Sequence, residues 1–128
     1  MKPLITLATL KDATSQEVFD PCARPMLTQN ARCQGDCGCA YRNNLGQKCV
    51  AGCLISEEEY NKQNKSDGGN EFESYGTWDT VVSAGLATGK HESLIVCLQK
   101  IHDETPVNEW KNSLFSLAKE YGLDNSSI

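Results

Sequence analysis

Apolar positions fall into helical spacing near both ends of this chain and lose it in the middle. From Thr14 to Asn30, Val18, Phe19, Cys22, Ala23, Met26 and Leu27 recur at intervals of three and four, the pattern of an amphipathic helix with one core face. Thr14 or Ser15 is a suitable cap, and Glu17 is spaced to supply the carboxylate of a capping box. Pro21 and Pro25 oppose that pattern. Each lacks an amide donor and clashes with the carbonyl four residues back, at about 3 kcal/mol or more. Each also pushes the preceding residue, Asp20 or Arg24, away from helical angles. The expectation is a first helix kinked or broken there, restarting with Asp20 as cap and Pro21 at the first helical position. Upstream, LITLATL (4–10) reads as a short strand or the lead-in to this helix.

The middle is punctuated differently. Residues 31–38 read as loop. Cys39 to Arg42 then reads as a short strand, Asn43 to Gly46 as a turn, and Gln47 to Val50 as the returning strand of a hairpin. Ser56 followed by Glu57, Glu58 and Glu59 is a strong helix start, since serine caps and carboxylates suit the positive end of the helix dipole. Residues 61–76 are polar and glycine-rich and read as one long surface loop. Helical spacing returns from Thr77 to Leu86, with Trp78, Val81, Val82 and Leu86 inward, and again from Lys90 to Asp103. A last helix is expected with Thr105 as cap and Pro106 first, a stripe of Trp110, Leu114, Leu117, Ala118 and Tyr121, and Gly122 as its left-handed stop. The fold class read from this is α+β: a single domain over residues 1–128, mostly helical, with about four to five helices packed on one small β-hairpin.

Composition narrows the function more by exclusion than by assignment. Twelve basic residues against seventeen acidic ones leave a net charge of −5. Lys11, Arg24, Arg32, Arg42, Lys48, Lys62 and Lys65 are spread singly, so the clustered charge that binds a phosphate backbone is missing and nucleic acid is not an expected partner. Thr6, Thr9 and Lys11 interrupt the N-terminal apolar patch, and no run approaches the roughly 20 apolar residues of a membrane span. The expected location is the cytoplasm, with thiols kept reduced.

Cysteine density is the chain's most concentrated feature. Five of seven cysteines fall between Cys33 and Ile55, spaced Cys33-x3-Cys37-x-Cys39-x9-Cys49-x3-Cys53. Structural zinc takes four soft ligands in a tetrahedron, usually from two knuckles, so Cys37, Cys39, Cys49 and Cys53 form a candidate set, with Cys33 or a histidine able to replace a member. The competing reading is that cysteines pack as small hydrophobes, which suits Cys49, Cys53 and Cys97. A thiol nucleophile would need a base and an orienting group, and His102 with Asp103 or His91 with Glu92 are available. No local signature surrounds any cysteine. His91 reads as a first-turn residue facing solvent, and His102 as a complement to a helix C-terminus or an interface contact. Phe72, Tyr75 and Trp78 either plug the long loop onto the core or form a stacking or anchoring surface. No cofactor is expected beyond the zinc alternative.

Several of these segments also share one likeness. Cys39-Ala-Tyr-Arg, Lys48-Cys-Val-Ala-Gly-Cys-Leu-Ile55, Glu59-Tyr60, Leu98-Gln-Lys-Ile-His-Asp103, Trp110 and Tyr121-Gly-Leu123 stand in the order found in a group of short, mostly uncharacterised tailed-phage and prophage proteins, which this chain resembles over most of its length. It departs from that pattern at Cys33 and Cys37, where the group usually has polar residues, and at Pro21 and Pro25. The resemblance implies a phage-type accessory protein that acts by binding, inhibiting a host factor or sequestering a small host molecule, as in counter-defence. A zinc-supported interaction module and a cysteine enzyme are the alternatives. The residues expected to meet a ligand or partner are Tyr41, Arg42, Phe72, Tyr75, His102 and Asp103.

Overall fold

The computed structural model describes residues 5–31, 48–66, 70, 72–73 and 77–125, together with the backbone of 34–35 and 38–39. Six α-helices occur among the described residues: α1 (Ser15–Gln29), α2 (Val50–Cys53), α3 (Glu57–Asn61), α4 (Trp78–Ser83), α5 (Glu92–Glu104) and α6 (Trp110–Glu120). Short 3-10 turns precede α1 (Leu10–Asp12) and α6 (Val107–Glu109). α5 is the hub, packing against α1, α2, α4 and α6.

The fold is therefore helical, and the α+β reading is corrected. Among the described residues, the hairpin expected over Cys39–Val50 is not found. Val50, placed in its returning strand, opens α2 instead, and Cys49 caps that helix with its sulfur 3.4 Å from the Gly52 amide. Residues 40–47, the rest of the expected hairpin, lie outside the described residues. A two-by-two antiparallel ladder joins Gln34 to Cys39 and Gly35 to Gly38, too short to form a sheet on which helices pack. Val50, Ala51 and Gly52 are buried against α1 and α5, so tertiary packing overrides the strand preference of valine.

α1 runs unbroken through both prolines, and Asp20 lies inside it rather than capping a second segment. The ladder bonds that positions 21 and 25 would donate cannot form. Opposing that loss, Val18, Phe19, Cys22, Ala23 and Met26 are buried along one face, and full burial of a large apolar side chain stabilises by about 1.5–3 kcal/mol. The capping box is present as expected: Thr14 Oγ1 accepts from the Glu17 amide at 3.2 Å, and the Thr14 amide donates to Glu17 Oε1 at 2.9 Å.

α3 begins the same way, with Ser56 and Glu59 forming a second box. Glu59 also reaches the N-terminal lead-in, accepting from the amides of Leu7 at 2.9 Å and Ala8 at 3.0 Å. α6 ends as its sequence requires. Gly122 adopts φ +67°, and the Leu123 amide donates back to the Ala118 carbonyl at 2.7 Å. Its start differs from expectation, because Thr105 closes α5 and Pro106 leads into the 3-10 turn. Within 61–76, Phe72 is buried in the core and Asn70 ties the segment down, donating to the Tyr60 carbonyl and to Asn64 Oδ1, each at 2.7 Å. No helix among the described residues is long and apolar enough to cross a membrane.

Candidate functional site

α5 carries two stripes. Leu94, Ile95, Leu98 and His102 face the core. On the other side, Glu92, Val96, Gln99, Lys100 and Asp103 recur at three-and-four spacing and line a groove of about 570 Å³ shared with Thr77, Trp78 and Asp79 at the start of α4. Its apolar lining residues are Trp78, Val96 and Cys97, and its charged ones are four carboxylates, Asp79, Glu92, Asp103 and Glu104, against one amine, Lys100. Asp79, Glu92 and Glu104 make no ion pair with a described residue. The groove is therefore electronegative and partly apolar.

Trp78 adds a second property. It is only 2 % exposed, yet its indole Nε1 is the one buried side-chain donor or acceptor among the described residues without a hydrogen-bond partner. A donor left unpaired out of water's reach costs about 1–3 kcal/mol. α4 is six residues long and begins at this tryptophan. Thr77 occupies the cap position without a side-chain bond to a helix amide; its hydroxyl lies 3.2 Å from that of Thr80, which donates to the Thr77 carbonyl at 2.6 Å.

Behind the groove lies a fully satisfied network. Asp103 Oδ1 accepts from His102 Nδ1 at 2.7 Å and from Gln99 Nε2 at 2.9 Å. Gln99 Oε1 in turn accepts from the Ala51 amide at 3.1 Å, linking α5 to α2. Because the carboxylate only accepts, the proton facing it sits on Nδ1 of His102. The His102 ring is completely buried and stacks on Trp110, with centroids 5.4 Å apart. Trp110 donates its indole N–H to the Thr105 carbonyl at 3.0 Å. His102 is thus a core residue, while the adjacent Asp103 is one-third exposed and lines the groove.

No protein-family model, curated protein or solved structure matches this chain.

The site residues expected from sequence separate accordingly. Asp103 lies in the groove, His102 lies beneath it, and Phe72 is 1 % exposed and stacks on Tyr60 at 6.1 Å, away from it. Tyr41, Arg42 and Tyr75 lie outside the described residues, as do Cys33, Cys37 and the side chain of Cys39. His91 departs from its expected solvent-facing role. It stands at the N-cap of α5 with φ +65°, half-buried, its Nε2 donating to the Ala13 carbonyl at 2.7 Å and its Nδ1 3.3 Å from the Ser15 hydroxyl. Left-handed backbone is unfavourable for a residue with a side chain, and these two bonds, which clamp the start of α1 to the start of α5, offset it.

Among the thiols, Cys22 is completely buried with its sulfur 3.9 Å from the Val50 carbonyl. Burial, reinforced by nearby Cys53 and Cys49, pushes its pKa well above the usual thiol value, so it stays protonated and unreactive. Cys97 is half-buried, 3.9 Å from the Tyr121 hydroxyl. No group of three or more metal-ligating side chains converges among the described residues. Val96, Gln99, Lys100 and Glu104 were not singled out from the sequence as a site; Trp78 was named only with Phe72 and Tyr75, and Glu92 only beside His91. The signal that carried most of them is the second three-and-four stripe of α5, which on its own reads as an ordinary solvated face.

Proposed function

We propose that this chain is a phage-type accessory protein that acts by binding a host molecule, without catalysing a reaction, and that the groove between α4 and α5 is where it binds. The observation that carries this reading is the pairing of an apolar surface with uncompensated charge along one face of α5. Binding sites combine a mostly apolar recess with a few polar groups that orient the ligand. Inhibiting a host factor, sequestering a small host molecule and countering host defence are the activities such a protein would carry out.

The test compares the wild-type chain with Val96→Arg, which fills the groove at a half-buried position. Immobilised wild-type protein should retain a specific host protein or small molecule from bacterial lysate, identified by mass spectrometry, and Val96→Arg should lose it while melting at the same temperature. Retention unchanged by Val96→Arg, or no retained species at all, overturns the reading.

A further inference from the structure

We infer that Cys22 of α1 and Cys53 of α2 are a redox pair, which closes as a disulfide when Cys53 meets a small oxidised thiol such as glutathione disulfide. This goes beyond the binding reading and does not depend on the groove. Both residues are thiols in the structure. Position is the first argument. Cys22 is completely buried where α1 packs on α2, and its sulfur lies 3.9 Å from the Val50 carbonyl. A sulfur in contact with the backbone of the next helix means that the two helices approach within one side chain. That closeness suits a disulfide, whose Cα atoms stand at most about 7 Å apart. Val50 and Cys53 are three residues apart in α2 and share a face. A helical side chain leans back over the preceding turn, so Cys53 leans over Val50, towards the sulfur of Cys22.

The electrostatics at Cys22 agree. After burial itself, Cys53 is the strongest influence raising the Cys22 pKa, ahead of Cys49. The Cys49 sulfur is turned to its own helix, 3.4 Å from the Gly52 amide.

Access is the second argument. Cys53 is partly exposed, whereas Cys22 and Cys49 are 0 % and 2 % exposed. Cys53 is therefore the entry point. Its thiolate attacks one sulfur of glutathione disulfide, breaking that S–S bond and forming a mixed disulfide as one glutathione departs. Cys22 then attacks the Cys53 sulfur and expels the second glutathione. In each step the proton of the attacking thiol ends on the departing glutathione. Two protein thiols are oxidised, and one glutathione disulfide is reduced to two thiols. Burial keeps Cys22 from reacting with a dissolved oxidant, but a mixed disulfide on Cys53 holds the reacting sulfurs together, and proximity replaces reagent concentration. The product is a reversible latch between α1 and α2, set by the thiol–disulfide balance around it.

The test incubates the full folded chain with glutathione disulfide, then digests it without reductant for peptide mass spectrometry, using fragmentation to separate Cys53 from Cys49. The wild-type chain should carry a Cys22–Cys53 link that dithiothreitol removes. Cys49→Ser should keep that link. Cys22→Ser should stop at the first step, with one glutathione retained on Cys53, and Cys22→Ala, which places no hydroxyl in the core, should give the same readout. Cys53→Ala should leave Cys22 unmodified. Linkage of Cys53 to any other cysteine, a stable glutathione adduct on wild-type Cys53, or a Cys22–Cys53 link that forms only in urea overturns the inference. So does a wild-type chain in which Cys53 stays a thiol.

Discussion

Trp110 and Trp78 are withdrawn from water to nearly the same degree, 0 % and 2 % exposed, but their indole N–H groups end differently. Trp110 donates to the Thr105 carbonyl and stacks on His102, whose own Nδ1 is held by Asp103. Every partner in that neighbourhood is supplied by the fold. Trp78 sits at the start of a six-residue helix with no acceptor for its donor and with carboxylates lining the groove beside it. One neighbourhood spends its polar groups on holding α5 to α6, and the other leaves a polar group unmatched beside a recess. Buried polar groups are normally bonded, so the unmatched one marks where the structure departs from being purely a scaffold.

Truncation of the bonded tryptophan has the largest expected effect. Trp110→Ala should destabilise by about 3–5 kcal/mol, because it removes a buried aromatic and leaves a cavity under His102; urea denaturation reads this directly. A conservative pair separates the two donors. Trp110→Phe removes a satisfied bond and Trp78→Phe an unsatisfied one, so the first should cost about 1–2 kcal/mol more than the second. Equal losses in the two variants would show that the two donors contribute alike. Gln99→Leu probes the link between the neighbourhoods, since it frees the Ala51 amide and deprives Asp103 of a donor; a loss of about 1–2 kcal/mol in the melting transition is expected.

The smallest effect comes from a site remote from both tryptophans. Partial burial pushes the Glu59 carboxyl upward, but hydrogen bonds from the Ser56, Leu7 and Ala8 amides and the Ser56 hydroxyl outweigh it and hold the pKa below its ordinary 4.5. A depressed folded pKa means that the stabilisation is present above 4.5 and is lost as pH falls below it. Glu59→Gln should therefore flatten the acid limb of the unfolding free-energy profile by under about 1 kcal/mol, since the group is only partly buried.

Legibility in the sequence followed the range of the interaction. Capping at Thr14–Glu17 and Ser56–Glu59, and the glycine stop at Gly122, depend on residues within a few positions of each other, and their residue types announce them. Pro21 and Pro25 pointed the wrong way because their local penalty is offset by burial of Phe19, Cys22 and Met26 against distant helices. The apolar run around Val50 is too short for its period to distinguish strand from helix, and contact with α1 and α5 decided for helix. Thr105-Pro106 carried a plausible start signal, yet it closes one helix and introduces a 3-10 turn before the next. The groove was the least legible feature. It exists only because α4 lies alongside α5, and no spacing within either helix encodes that meeting.

One amide has a consequence for how this chain can vary. Gln29 Oε1 accepts from the Lys48 amide at 2.9 Å, while Nε2 donates to the Lys48 carbonyl at 3.2 Å and to the Ala31 carbonyl at 2.6 Å. A single side chain at the end of α1 thus fastens both ends of the segment that holds Tyr41 and Arg42. A substitution at Gln29 would therefore release both points at once, whereas side-chain changes at Ala31 or Lys48, which are held through their backbone, would leave the anchor in place.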